Sequence, residues 1–345
     1  RFITGIFLDK GVRCSVPLKI AAIFAIISDF LLFHSHDYES YLHGQFFLGT
    51  AAGIYWPAAE LIVPISCQDF PSSKGFALVR TADALGICIG SFLGTAASWL
   101  DSIRFIYFLD FFCMVIFLIT INKKLFEDQQ RITINKNSDI NNLSKVNINN
   151  KKFNSFKLIL PILFLSLYAT SILSLLQSGL PFDLLNGGTN RPPLNETLSG
   201  LLITVQLILL LVLQWPIGNW LSNKDIKFGL KLSLISLLNA SLLLAISSSV
   251  TFGLFLVSIA LILIAIGLTS FLPTATEAIV KLSNHSNKGI TMAMFSQCFG
   301  ISSIIAPITA GKLIDYYGNG IILWISMSII AILLFPLVNR IIIED

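Results

Sequence analysis

Residues 74–101, KGFALVRTADALGICIGSFLGTAASWLD, lie without gaps over residues 288–315, KGITMAMFSQCFGISSIIAPITAGKLID, at an offset of 214. Seven of the 28 positions are identical: Lys74, Gly75, Gly86, Ile87, Thr95, Ala96 and Asp101 recur as Lys288, Gly289, Gly300, Ile301, Thr309, Ala310 and Asp315. Upstream, Pro57-Ala58-Ala59-Glu60 returns as Pro273-Thr274-Ala275-Thr276-Glu277 with its spacing shifted. Apolar text matches itself easily by chance. A lysine, glycines and an acid that share one offset do not, so the chain reads as a parallel duplication of one helical unit.

Composition says where such helices sit. Of 345 residues, 54% are hydrophobic and 12% charged, against roughly 45–50% and 25% in a soluble domain. With mean hydropathy +0.79 the apolar surface exceeds what one core buries, which excludes a soluble globular enzyme. Apolar runs about twenty residues long, not ten-residue alternations, exclude an outer-membrane barrel. They fall at 15–33, 44–66, 76–100, 103–121, 157–178, 198–221, 228–249, 252–280, 289–311 and 319–339, after the apolar tail of another helix.

Residues 122–156, rich in Asn, Lys and Ser, cannot bury a core and read as a flexible linker between residues 1–121 and 157–345. Nineteen Lys and Arg residues fall on the linker's side and three, Arg104, Arg191 and Lys312, on the other. That bias places linker and carboxyl end in the cytoplasm, in a plasma or inner membrane. A parallel repeat across such a linker needs an even number of helices per half. Six follow the linker, and four and a tail precede it, so one helix and most of another are expected upstream, in a protein of twelve. Cys14, Cys67, Cys88, Cys113 and Cys298 are scattered without metal or redox spacing and read as reduced, buried residues.

Gly5-Ile6-Phe7-Leu8-Asp9-Lys10-Gly11-Val12-Arg13 occupies the turn after the leading tail. Gly5 lets two helices approach, and Asp9 is placed to cap a neighbouring helix and pair with a basic group such as Arg13. The pair would form a latch that breaks when two halves rock; the alternative is a solvated charge cluster. Pro216-Ile217-Gly218-Asn219-Trp220-Leu221-Ser222 fills the equivalent turn, offset by 213 from Gly5, with Ser222 in place of the acid. The first turn resembles the Gly-x-x-x-Asp-Arg-x-Gly-Arg loop between helices 2 and 3 of the major facilitator superfamily. Span number, linker, orientation and repeat extend the resemblance over the whole chain.

The resemblance implies an all-α polytopic membrane fold of two pseudo-repeated six-helix bundles, lacking here helix 1 and most of helix 2. It implies a monomeric secondary transporter, permease or efflux carrier, that moves a small organic solute by alternating access. Protons or sodium are the coupling ions, and no enzyme activity, cofactor or nucleic-acid partner is expected. Gly5, Asp9, Lys10, Gly11 and Arg13 take over the gating motif. A transport-inactive member serving as sensor or assembly partner is the alternative. Two departures bear on coupling: Gln45 stands where many proton-coupled members have Arg, and Gly90-Ser91 where antiporters have Gly-Pro.

Ionisable groups within spans default to functional candidates. Glu60 and its approximate counterpart Glu277 are cation or proton sites, or else salt-bridge partners of residues such as Arg13 and Arg80. Asp83 lies one turn after Arg80, which self-pairing explains equally, and its repeat partner is Gln297. Asp29 and Asp110 fall on helices peripheral in the resembled fold and are expected to pair within their half. Tyr55 and Trp56, Tyr168 and Gln177, and the amides Gln206, Gln214 and Asn239 suit an uncharged or amphipathic solute, although aromatics at such spacing also simply pack. Gly86, Gly90 and Gly94 form a small-residue stripe expected to pack closely. His34, His36, Asp37 and His43 read as a polar loop rather than a metal site, and Asn195-Glu196-Thr197 fits a glycosylation acceptor.

Overall fold

The computed structural model describes residues 1–67, 71–100, 102, 104–123, 148–283 and 287–341. Among these the secondary structure is helical throughout: α1 (Phe2–Asp9), α2 (Ser15–Phe33), α3 (Tyr38–Cys67), α4 (Ser72–Trp99), α5 (Phe105–Lys123), α6 (Ile148–Gln177), α7 (Gly179–Asn186), α8 (Glu196–Leu221), α9 (Ile226–Ser247), α10 (Gly253–Leu282), α11 (Lys288–Tyr317) and α12 (Ile321–Asn339). Ten of them, all but α1 and α7, are long and apolar enough to cross a bilayer, so the chain is a multi-pass integral membrane protein. Each contains one expected run, with ends displaced by a few residues. Most of the linker, residues 124–147, and the repeat anchor Asp101 lie outside the described residues. The linker's last residues, 148–156, are helical and open α6.

The chain divides into two compact units, residues 1–70, 89–154 and 283–296, and residues 71–88, 155–282 and 297–345. The duplicated segments are the ones divided: the first turns of α11 cluster with the amino-terminal residues and those of α4 with the carboxy-terminal ones. In the first unit α2 packs on α3 and α5, and in the second α9 packs on α10 and α12. The surface left outside is apolar, with Phe108, Phe112, Ile116 and Ile119 of α5 all exposed, as a lipid-facing helix requires.

Since lipid tails are as apolar as leucine, helices associate in the bilayer through small residues and hydrogen bonds rather than through burial itself. Both devices are present. Ser28 Oγ donates to the Gly44 carbonyl at 2.9 Å, joining α2 to α3. In the second unit Thr170 and Ser171 of α6 meet Ser302 of α11, hydroxyl to hydroxyl at 2.9 and 3.1 Å. The close approaches are at Gly5 and Gly218. A Cβ on Gly5 would sit 2.7 Å from the Gly289 carbonyl oxygen, and one on Gly218 2.5 Å from the Ala77 Cβ.

The stripe Gly86, Gly90 and Gly94 does not pack as expected. Nothing described lies within 4 Å of a Cβ at Gly86 or Gly90, and at Gly94 only the end of Ile106 comes near, at 3.9 Å. Regular spacing marks one face of a helix but does not say whether a neighbour covers that face.

A buried ion pair closes one end of the second unit. Arg191 Nη2 lies 3.1 Å from Asp183 Oδ1, with both side chains fully buried. Asp183 also accepts from the Gly320 amide at 2.9 Å and from Trp324 Nε1 at 3.0 Å, while Arg191 Nη1 donates to Ser247 Oγ at 2.8 Å. The carboxylate thus holds the start of α12, and the arginine ties it to the end of α9. Removing one partner of a buried pair strands the other charge, which costs about 3–5 kcal/mol. Arg191→Ala should therefore lower the melting temperature of the detergent-purified protein by several degrees; a variant that melts with the parent would show the pair to be dispensable.

Candidate functional site

The turn after α1 supplies the most ordered polar geometry at a rim. α1 ends at Asp9, and Gly11, at φ 92°, reverses the chain in a conformation glycine favours. The Asp9 carboxylate is thereby presented to the amino end of α11, where Oδ1 accepts from the Gly289 amide at 2.6 Å and Oδ2 from the Ile290 amide at 2.9 Å. These are orphan donors of a helix's first turn, and a carboxylate there also meets the positive end of the helix dipole. Gly5 and Gly289, backbone against backbone, bring α1 and α11 close enough for this. The guanidinium of Arg1 adds a bond to the Ser296 carbonyl.

Asp9 turns both oxygens to the amides of α11, and Arg13 is exposed. Lys10 is also exposed, 6.0 Å over the Phe7 ring. In the second copy the Ser222 hydroxyl bonds to the Asn219 carbonyl of its own helix, at 2.7 Å, so Gly218 keeps its packing role without a capping partner.

Within the spans, Arg80 Nη1 stands 3.3 Å from Asp83 Oδ2 on one face of α4, the self-pairing that the spacing allowed. Glu277 pairs with Lys281 one turn on, at 3.3 Å, rather than with Arg13 or Arg80. Glu60 is buried in α3 beside the core of Leu8, Cys14, Leu18, Ala58 and Leu61. Asp29 of α2 and Asp110 of α5 face each other within hydrogen-bonding reach, as expected of a pair inside one half. Tyr55 and Trp56 are edge to face, with centroids 5.5 Å apart, and line a cavity among α2, α3 and α5.

In the second unit Tyr168 is buried against Ser241. Gln206 and Gln214 are buried on one face of α8, and Gln297 is half-buried. Two amides go elsewhere: Gln177 is the exposed last residue of α6, and Asn239 is exposed and donates to the Ile235 carbonyl of its own helix. The loop before α3 uses its polar groups locally. His34 and His43 meet carbonyls one turn back, His36 meets Arg104, and Ser40 bonds to Asp37, first through its hydroxyl and then through its amide, which holds that carboxyl below its ordinary range. Asn195 caps α8 by accepting from the Leu198 amide at 2.9 Å.

Sequence reading passed over Asp183, Arg191 and Trp324. The aspartate and the tryptophan lie 141 positions apart, so no local pattern could join them. The signal on offer was the charge itself, since an acid and an arginine in apolar surroundings seek each other.

Gln206 is 2% exposed, and neither amide atom has a hydrogen-bond partner among the described residues. An unsatisfied buried polar group costs about 1–3 kcal/mol. Gln206→Leu, of similar volume, should therefore raise the melting temperature; a fall would mean that the amide is bonded in the membrane.

No family model and no curated protein matches this sequence. Solved structures do. The human organic anion transporter MFSD10 (TETRAN) is similar at TM-score 0.75 and 17% identity, over 98% of this chain and 79% of that one. The E. coli fucose:proton symporter FucP gives 0.72 and 12% over 99% and 87%. The proton:xylose symporter XylE gives 0.74 and 12% over 98% and 83%. At such identities the likeness is one of fold, and the chain has the all-helical fold of major facilitator superfamily transporters.

Proposed function

We propose that the protein is a secondary transporter that carries a small organic solute across the bilayer by alternating access between two six-helix halves joined by the linker at residues 122–156. The observation that carries the reading is the docking of Asp9 on the first amides of α11. A contact of this type contributes about 0.3–1 kcal/mol when exposed and up to about 2 when partly buried. That is strong enough to bias two conformations and weak enough to be broken in each cycle. The half-buried carboxylate fits such a device, as does the backbone contact at Gly5 and Gly289, which brings α1 and the first turn of α11 together without interlocking side chains.

The excess of Lys and Arg on the linker's side puts the latch, the linker and the carboxyl end in the cytoplasm. The buried amides of α8 and the phenol of Tyr168 are suited to an uncharged or amphipathic solute. Two of the similar folds are described as proton symporters, which supports protons as the coupling ion. Asp83, 3.3 Å from Arg80, is the first candidate to carry them and Glu60 the second.

Asp9→Asn keeps the size of the side chain but gives up the charge on the helix dipole. Losing about 1–2 kcal/mol would shift the ratio of the two conformations roughly five- to thirty-fold. The labelling of a cysteine placed on the solute pathway should change to match in proteoliposomes, and identical labelling in parent and variant would remove the latch from the mechanism. For coupling, solute accumulation against a pH gradient is compared with gradient-free exchange. The carboxylate that carries the proton loses accumulation and keeps exchange when neutralised. Normal accumulation by both Asp83→Asn and Glu60→Gln would exclude the two.

A further inference from the structure

The turn between α8 and α9 and the outer side of α9 belong to the second unit. Phe228, Ile235, Leu242 and Ile246 follow one another at spacings of seven, seven and four, which places them on one side of α9, and all four are exposed. In a helix that crosses the bilayer such a side meets acyl chains. It changes character at its first turns. Lys227 and Lys231, one turn apart, stand beside Phe228 on that side, and Lys224 is exposed in the turn before. Lys231 lies within the apolar span Ile226–Ser247, where a cation is costly. Helical side chains lean toward the amino end of their helix, so the Lys231 ammonium reaches back to the rim at which α9 starts.

The acid of this turn is engaged with backbone: Asp225 Oδ1 caps α9 by accepting from the Lys227 amide at 3.2 Å. Among the described residues none of the three lysines forms a salt bridge. Across the turn, Trp220 of α8 is exposed and stands edge to face with Phe228, centroids 5.6 Å apart. Such a ring pair suits the headgroup level, where one part of an indole is dry and the other wet. The repeat does not explain the lysines. At the offset of 213, Lys224, Lys227 and Lys231 align with Gly11, Cys14 and Leu18, so this cluster is a property of one copy.

We propose that this surface binds one anionic glycerophospholipid, its phosphate held by Lys224, Lys227 and Lys231 and its acyl chains laid over Phe228 and Ile235. A soluble phosphate ester would use the lysines alone. The apolar side that runs on from them to Ile246 is what selects a lipid. The site goes beyond the transport reading and does not rest on it, since every residue named belongs to one unit and the test reads binding rather than flux.

Native mass spectrometry of the detergent-purified chain follows lipid binding during titration with phosphatidylglycerol or with phosphatidylcholine of the same acyl chains. Phosphatidylglycerol should bind about tenfold more tightly, and Lys227→Gln combined with Lys231→Gln should remove about that factor. Taking the same two charges from elsewhere, by Lys19→Gln with Lys123→Gln, should leave the affinity within about twofold. Millimolar glycerol 3-phosphate should not displace the lipid. Equal affinity for the two lipids overturns the proposal, as does a loss no larger in the first double variant than in the second. Displacement by glycerol 3-phosphate overturns the lipid as occupant. If the first double variant does not fold, Lys224→Gln, in the exposed turn, decides in its place.

Discussion

A carboxylate set on the amino end of a helix is the interaction on which the rest is hung, and the chain uses it twice with opposite surroundings. Asp9 holds the first amides of α11, and Asp183 holds the amide at the start of α12. Asp183 is fully buried with Arg191 at 3.1 Å, so its release would strand two charges in an apolar interior. Asp9 is only half-buried. The same type of bond is thus fully buried in one place and half open to its surroundings in the other.

The duplicated segments show why such capping is needed. The first turns of α4 cluster with the carboxy-terminal residues and those of α11 with the amino-terminal ones, so each repeat lends its opening turns to the opposite half of the chain. Lipid gives no hydrophobic reason for helices to associate, so these borrowed turns need contacts of their own. At α11 they are the Gly5–Gly289 backbone contact and the Asp9 bonds; at α4 they include the approach of Gly218 to Ala77. Glycine recurs at Gly5 and Gly218 because a Cβ at either would collide.

Much of this was legible in the sequence, and what was legible is local or periodic. The ten apolar runs follow from bilayer thickness alone, and the capping role of Asp9 follows from an acid next to a glycine-bearing turn. The pairing of Asp29 with Asp110 follows from the cost of leaving either alone in lipid. What was missed depends on which neighbour covers a face. Gly86 and Gly90 look like a packing stripe and meet no described atom within 4 Å, whereas Gly218, in the turn equivalent to that of Gly5, makes a tight contact. Asn239 sits at a plausible spacing and satisfies itself on its own helix. Tyr55 and Trp56 were read as suiting an uncharged or amphipathic solute; they line a cavity together with alanines of α2 and of their own helix.

The two copies have kept different things, and physics says which. Lys74, Gly75, Gly86 and Thr95 persist as Lys288, Gly289, Gly300 and Thr309, while polar side chains have drifted: Asp9 aligns with Ser222, and Asp83 with Gln297. A steric requirement such as that at Gly289 admits a single residue type, because a Cβ there would meet the Gly5 carbonyl oxygen at 2.5 Å. A polar position admits several, provided each finds a partner in its own surroundings. Asp83 has Arg80, Ser222 has the Asn219 carbonyl, and hydroxyls in the second unit bond to one another from helix to helix. A duplicated scaffold can therefore hold its geometry while the polar side chains of its two halves diverge.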